Sequence, residues 1–224
     1  MRRAFFPILA GLLLIPASVL ADDVTDAADI LAARKFVEPI MGKECEFKYD
    51  EKGVPEGYNN VFHLTFRTKG QDQDSPDYKR TLVQLACYAA AYNFSSVYVL
   101  RSDDKDEGGW ALLTFAEPTA DYDYADEYFS KLKAPPKVTG YVTTTQLVNS
   151  EFDEASRTIT ATPKWRGIGD SWSSGDWKFG EGFFVLKRYE IDPTQQVPEG
   201  EEDDPNQPES YVLFGEQRPE IPQE

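Results

Sequence analysis

The stretch that most restricts the fold is residues 140–192, GYVTTTQLVNSEFDEASRTITATPKWRGIGDSWSSGDWKFGEGFFVLKRYEID, which repeats in steps of two. Thr158, Thr160, Thr162 and Lys164 alternate with Ile159, Ala161 and Trp165. Successive side chains of a strand point to opposite faces, so the pattern predicts a half-buried strand with a β-branched polar face. Before it, Val148, Ser150 and Phe152 alternate with Asn149, Glu151 and Asp153, and the polar Asp153-Glu154-Ala155-Ser156 fits a short hairpin connection. Downstream, Trp177 and Phe179 run through Gly180-Glu181-Gly182 into Phe183-Phe184-Val185-Leu186. The glycines permit the positive φ that a tight β-connection often needs. Two hairpins in succession predict a four-stranded antiparallel meander.

Between the hairpins lies Trp165-Arg166-Gly167-Ile168-Gly169-Asp170, continuing into Ser171-Trp172. Arg166 and Asp170 are near enough in sequence to fold back on each other across Gly167 and Gly169. One reading is a salt bridge that ties down an irregular loop. The other makes Arg166, with its planar fork of donors, an anion or carbohydrate contact beside Trp172. Arg166, Gly167, Gly169, Asp170 and Trp172 are therefore the candidate binding loop. A glycine-rich turn that opens no helix is a weak phosphate signal, and no nucleotide-binding context surrounds it.

The run NSEFDEASRTITATPKWRGIGD, followed by W-x-F-x-x-G-x-F-x-L spacing, resembles the C-terminal part of an exported bacterial family called domain of unknown function 1176. Cys87 with Ala91-Tyr92-Asn93 is similar to an upstream block of that family. The resemblance spans about residues 82–192, with its specific part in roughly two dozen of them. It implies an exported, β-rich protein and supplies no activity. Family members carry a Cys soon after the Gly-Asp pair, where Ser171 and Trp172 stand here. No disulfide is expected within the loop.

Residues 1–21 have the layout of a secretory signal peptide: Arg2 and Arg3, an apolar run to Pro16, then small Val19 and Ala21. The apolar run is short for a spanning helix, and no Cys stands at the cleavage point to take a lipid. We expect export to the periplasm or beyond, with cleavage after Ala21 and no membrane span in the mature chain. Two arginines and no acids leave with the leader, so a net charge of −16 becomes −18. Such a surface repels nucleic acid and anionic lipid and favours a cationic partner. Cys45 and Cys87 are the only cysteines, and an oxidising compartment makes a disulfide between them the default. There is no C-x-x-C, and the single His63 leaves a zinc site short of ligands, so no metal or other cofactor is expected.

Along the chain, the spacing of Ala28, Ile30, Leu31, Ala33, Phe36 and Val37 predicts an amphipathic helix within residues 22–41. Thr25 or Asp26 would cap it, and Pro39 would lie beyond its end. Strands are expected at 45–49, 61–68, 81–88, 96–101 and 110–115, with His63 on the polar side of the second. The acidic turn 102–109 lacks the EF-hand register and reads as a solvated hairpin tip. Asp121 to Asp126 leads into an expected helix up to Lys133, stopped by Pro135-Pro136. The fold class is mainly β, with α+β as the alternative. We expect two sheets, each with one polar face, forming a sandwich-like domain over residues 22–192, with one or two short helices. The acidic, Pro-rich tail 193–224 should be disordered and dispensable for folding, apart from a possible short strand at Tyr211 to Phe214 that docks back.

No nucleophile elbow accompanies His63, and carboxylates are too abundant to single out a pair; Asp153 and Asp170 qualify only by flanking the aromatic meander. Catalysis is therefore not expected. Three functions fit: an envelope binding or structural module, an inhibitor of a cationic secreted hydrolase such as a lysozyme, or a carbohydrate-active hydrolase. The expected partner is a cationic protein or a cell-wall glycan.

Overall fold

The structure is a computed structural model that describes residues 18–53, 56–103, 108–197 and 207–216, with side chains from residue 26 onward. The expected leader lies outside the described residues up to residue 17, as do residues 104–107 of the acidic turn and the acidic run 199–204. The chain opens with α1 (Ser18–Met41) and a single 3₁₀ turn, Gly42–Glu44. Four strands follow: β1 (Asn60–Phe66), β2 (Tyr78–Ala89), β3 (Phe94–Ser102) and β4 (Gly109–Leu112). Next come β5 (Phe115–Asp121), β6 (Lys137–Thr144), β7 (Gln146–Val148) and β8 (Ser150–Asp153). The chain ends with β9 (Thr158–Ala161), β10 (Trp172–Gly180), β11 (Phe183–Asp192) and β12 (Tyr211–Phe214).

The fold is mostly β and its strand pairs are antiparallel. One sheet runs β1-β2-β3, and the far edge of β3 is shared: Val99 to Ser102 pair with β4, Ser95 to Val97 with β7. The second sheet runs β12-β11-β10-β9-β8, and it contains the expected meander in its expected order. β5 and β6 form a separate two-stranded ribbon. The chain passes from the first sheet to the second at Asn149, whose φ is +49. Asn tolerates this left-handed conformation better than most residues, so the bend between β7 and β8 can be tight.

The core lies between the sheets. Leu64, Phe66, Leu82, Tyr98 and Leu100 face Phe152, Ile159, Trp177, Phe179, Leu186 and Ile191, all buried. Phe115 stands among them, its ring 5.8 Å from Tyr98 and 5.4 Å from Trp177 at steep interplanar angles. Such edge-to-face pairs place a positive ring edge against a negative face. The expected sandwich therefore forms.

The other face of the first sheet is not polar, contrary to expectation. Val83, Leu85, Cys87, Val97 and Val99 are buried there under Ala33, Val37 and Met41 of α1. This explains why β2 reads Thr-Leu-Val-Gln-Leu with all five residues buried, a continuously buried run rather than an alternation. The helix is clamped by Asp29, which accepts a forked pair of hydrogen bonds from Arg101 on β3, one of them 3.1 Å. Cys45 and Cys87 form the expected disulfide, tying the segment after α1 to β2.

Four further expectations are corrected. Thr25 and Asp26 do not cap α1 but lie inside it; Asp26 instead meets His63 at 3.2 Å. Pro39 sits in the last turn of α1, where it deprives only the carbonyl of solvent-exposed Lys35 of a partner, so the helix continues. Residues 45–49 form no strand. Their backbone is held by Glu46 N–H donating to the Cys87 carbonyl (2.9 Å) and by buried Arg34 donating to the Lys48 carbonyl (2.8 Å). The helix expected before Lys133 is absent too. Asp126 accepts the Ser130 N–H at 3.0 Å and Phe129 takes φ +59, so a local Asx turn wins over helix. In the tail, the docking strand that the sequence allowed at Tyr211 to Phe214 forms: β12 pairs with β11, and Tyr211 and Leu213 pack on the core.

Candidate functional site

The loop between β9 and β10 is braced from within. Arg166 Nη1 donates to Asp170 Oδ2 at 2.5 Å. The same oxygen accepts the Gln196 N–H at 2.8 Å, and Asp170 Oδ1 accepts the Ser171 N–H at 3.1 Å. Asp170 is thus the hub and nearly buried, whereas the Arg166 side chain is 41% exposed. Gly169 has φ +75, a conformation glycine adopts without strain, and lies beside the Lys164 stem. Gly167 lies under the Tyr92 ring, where a Cβ would approach to 3.0 Å. Trp172 is half-buried at the start of β10, opposite Asp192, and bridges to Lys164.

Beside this loop, the β5–β6 ribbon and the second sheet enclose an open cleft of about 510 Å³. Trp165 and Ser173, the residues flanking the loop segment 166–172, both line it. The ribbon is pinned there because the Trp177 indole N–H donates to the Ala116 carbonyl at 3.0 Å. Trp177 lies flat against its own strand because Gly175 has no Cβ, which would come within 2.3 Å of the ring. Pinning Ala116 brings the next residue, Glu117, into the cleft with Tyr122, Trp165, Trp177 and Tyr189.

The Glu117 carboxyl has no hydrogen-bond or ion-pair partner among the described residues, and burial alone raises its pKa above the ordinary carboxylate value. Burial, reinforced by the nearby Glu117 charge, pushes the Tyr189 phenol up to about 12. The Trp165 indole N–H donates to Ser173 Oγ at 3.2 Å, while the residue stays 42% exposed and its ring lies 6.0 Å from that of Tyr122. The cleft thus presents aromatic surface and a half-buried carboxyl with no protein partner among the described residues.

The two sequence blocks noted above meet next to the cleft. Asn93 donates to the Lys164 carbonyl at 2.9 Å and accepts the Lys164 N–H at 3.2 Å. Asn149 donates to Asn93 Oδ1 (2.9 Å) and to the Thr162 carbonyl (3.2 Å), and accepts the Phe94 N–H at 2.8 Å. A family model described as protein of unknown function (DUF1176) matches residues 67–206. The chain belongs to this family. No curated protein and no solved structure matches it. All the residues lining the cleft, from Glu117 to Ile191, fall within the stretch matched by the DUF1176 family, whereas α1, Cys45 and β12 fall outside it.

Sequence reasoning singled out Asp170 and Arg166 but passed over Glu117, Tyr122 and Tyr189. The only available signal for Glu117 was an acid in the middle of a Phe-Ala-Glu-Pro-Thr strand. Among the described residues no group of three or more His, Cys, Asp or Glu side chains could hold a metal, and no helix is long and apolar enough to cross a membrane.

Proposed function

We propose that this protein is an exported envelope binding module, periplasmic or secreted after loss of residues 1–21, whose ligand site is the cleft under the β5–β6 ribbon. The observation that carries this reading is the half-buried Glu117 carboxyl, which has no donor among the described residues and shares a cleft with the exposed ring of Trp165. Burying an acceptor without a donor costs free energy, and a ligand that donates to it recovers that cost. The Arg166–Asp170 loop then serves as the frame that holds Trp165 at the mouth. Hydrolysis of a glycan is disfavoured because it normally takes two carboxyls flanking the bond, and Glu117 is the one acidic residue lining this cleft among those described.

The test uses the mature chain immobilised against periplasmic extract and purified peptidoglycan, with retained species identified by mass spectrometry. We expect a species held by the wild type and by Arg166→Ala but released by Glu117→Gln and by Trp165→Ala. Identical retention by all four proteins overturns the cleft as the site. For export, the N-terminus of the fractionated protein should be Asp22; an intact Met1 in the cytoplasmic fraction overturns it.

A further inference from the structure

If the ribbon cleft is the binding site, its chemistry selects the ligand. Among the described residues no Lys, Arg or His lines it, so none of them holds an anion there. Several of the other side-chain polar groups are engaged with the protein itself. Gln146 Oε1 accepts the Ser95 hydroxyl at 2.7 Å, the Thr144 hydroxyl donates to the Gln146 carbonyl at 2.9 Å, and Ser173 Oγ accepts the Trp165 indole. Thr119 and Thr139 hydroxyls lie 3.2 Å apart as partners. A neutral sugar needs donors for its ring and hydroxyl oxygens, and the Thr144 hydroxyl and the Trp165 and Trp177 indole N–H groups are already engaged. It would also leave the carboxylate charge uncompensated in a half-dry site.

What the cleft lacks is a donor that is also positive. Glu117 as a carboxylate is acceptor-only, and a charge-assisted bond from N–H⁺ is the strongest it can receive. The Trp165 ring lines the cleft and stays 42% exposed with its N–H engaged by Ser173, and indole rings attract cations. The chain as a whole carries −16, which draws cations toward its surface. A volume of about 510 Å³ accommodates one extended small molecule or one long side chain. Resting on the cleft being the site, we infer that its ligand is an organic cation, a primary ammonium or guanidinium. Its head sits against Glu117 and its aliphatic stem lies along Trp165 and Tyr122. The source is either a free polyamine or the Lys or Arg side chain of a protein.

Calorimetric titration of the full mature chain at physiological ionic strength tests this with three probes: spermidine, a short arginine- and lysine-containing peptide, and an N-acetylglucosamine trimer. We expect saturable one-to-one binding of spermidine or of the peptide. Glu117→Gln and Trp165→Ala should weaken it roughly tenfold or more, the size expected for truncating one member of a desolvated charge pair. Asp153→Asn removes the same charge from a fully exposed site and should bind as the wild type does. Spermidine binding alone identifies a free amine as the source, and peptide binding a protein side chain; either supports the inference. Equal binding by Glu117→Gln and Asp153→Asn overturns it, because the attraction is then only the general charge of the surface. Trimer binding that Trp165→Ala abolishes overturns the cation and leaves the cleft standing as the site. The same holds if no probe binds while the cleft variants still release a species from the extract. If they release nothing, the site itself is wrong.

Discussion

At the scale of single residues, Glu117 and Asp170 are opposite cases of one carboxylate problem. Asp170 accepts three donors, from Arg166, Ser171 and Gln196, and holds a loop. Glu117 accepts none from the described residues. Removing Asp170 strands donors in a nearly buried site, so Asp170→Ala should cost about 2–3 kcal/mol. Arg166→Ala removes a partly exposed, solvent-screened partner and should cost about 0.5–1 kcal/mol. Urea titration of the two variants distinguishes them, and equal costs would show that the ion pair alone braces the loop. For Glu117 the sign is reversed. Its folded pKa is raised, so its contribution to stability is fully present below the unfolded value of about 4.3 and is lost as pH rises through the folded pKa. Glu117→Gln should therefore melt a few degrees higher than the wild type at pH 7, and the gain should vanish in acid. A variant that melts lower at pH 7 would mean that the carboxylate has a partner after all.

The elements show how a short strand can matter more than its composition suggests. β12 comes from a Pro-rich, acidic stretch, yet three of its residues pair with β11, and Tyr211 and Leu213 pack on the core between the sheets. Full burial of one such side chain contributes about 1.5–3 kcal/mol, and ordering the strand offsets much of that. A chain ending before Tyr211 should therefore lose about 2 kcal/mol, seen calorimetrically as a fall in Tm of roughly 4–8 °C. An unchanged Tm would mean that the strand docks without stabilising. The same balance explains the absent helix before Lys133. Two prolines close behind it and Asp126 bonding locally to Ser130 favour a turn, although Ala125, Tyr128, Phe129 and Leu132 have the spacing of an apolar helix face.

At the scale of the whole molecule, a helix covers one sheet and that sheet covers a second. The disulfide ties the segment leaving the helix to the middle sheet, Cys45 to Cys87, closing a separation of 42 residues. On the chain-entropy model that cross-link contributes about 4 kcal/mol, so the Cys45→Ala/Cys87→Ala variant should unfold at a markedly lower denaturant concentration. A midpoint within error of the wild type would show that the Asp29–Arg101 clamp and the Arg34 contacts already fix the segment.

Local periodicity determined the meander. Ile159 and Ala161 are buried in the second sheet while Thr158 and Thr160 stay half-exposed, because a strand's alternation is written in consecutive side chains. The disulfide was legible for a similar reason, since only two cysteines were present to pair. The length of α1 was not legible. Its inner end is set by what it packs against, and Asp26 and Asp29 are engaged by His63 and Arg101, far away in the chain. The cleft was not legible either. Glu117 looks like any acid in a strand until the Trp177 hydrogen bond to Ala116 lays the ribbon across the second sheet. Whether a carboxyl is solvated or waits for a partner depends on what folds over it. That was decided by contacts between residues about sixty positions apart, which leave no local pattern in the sequence.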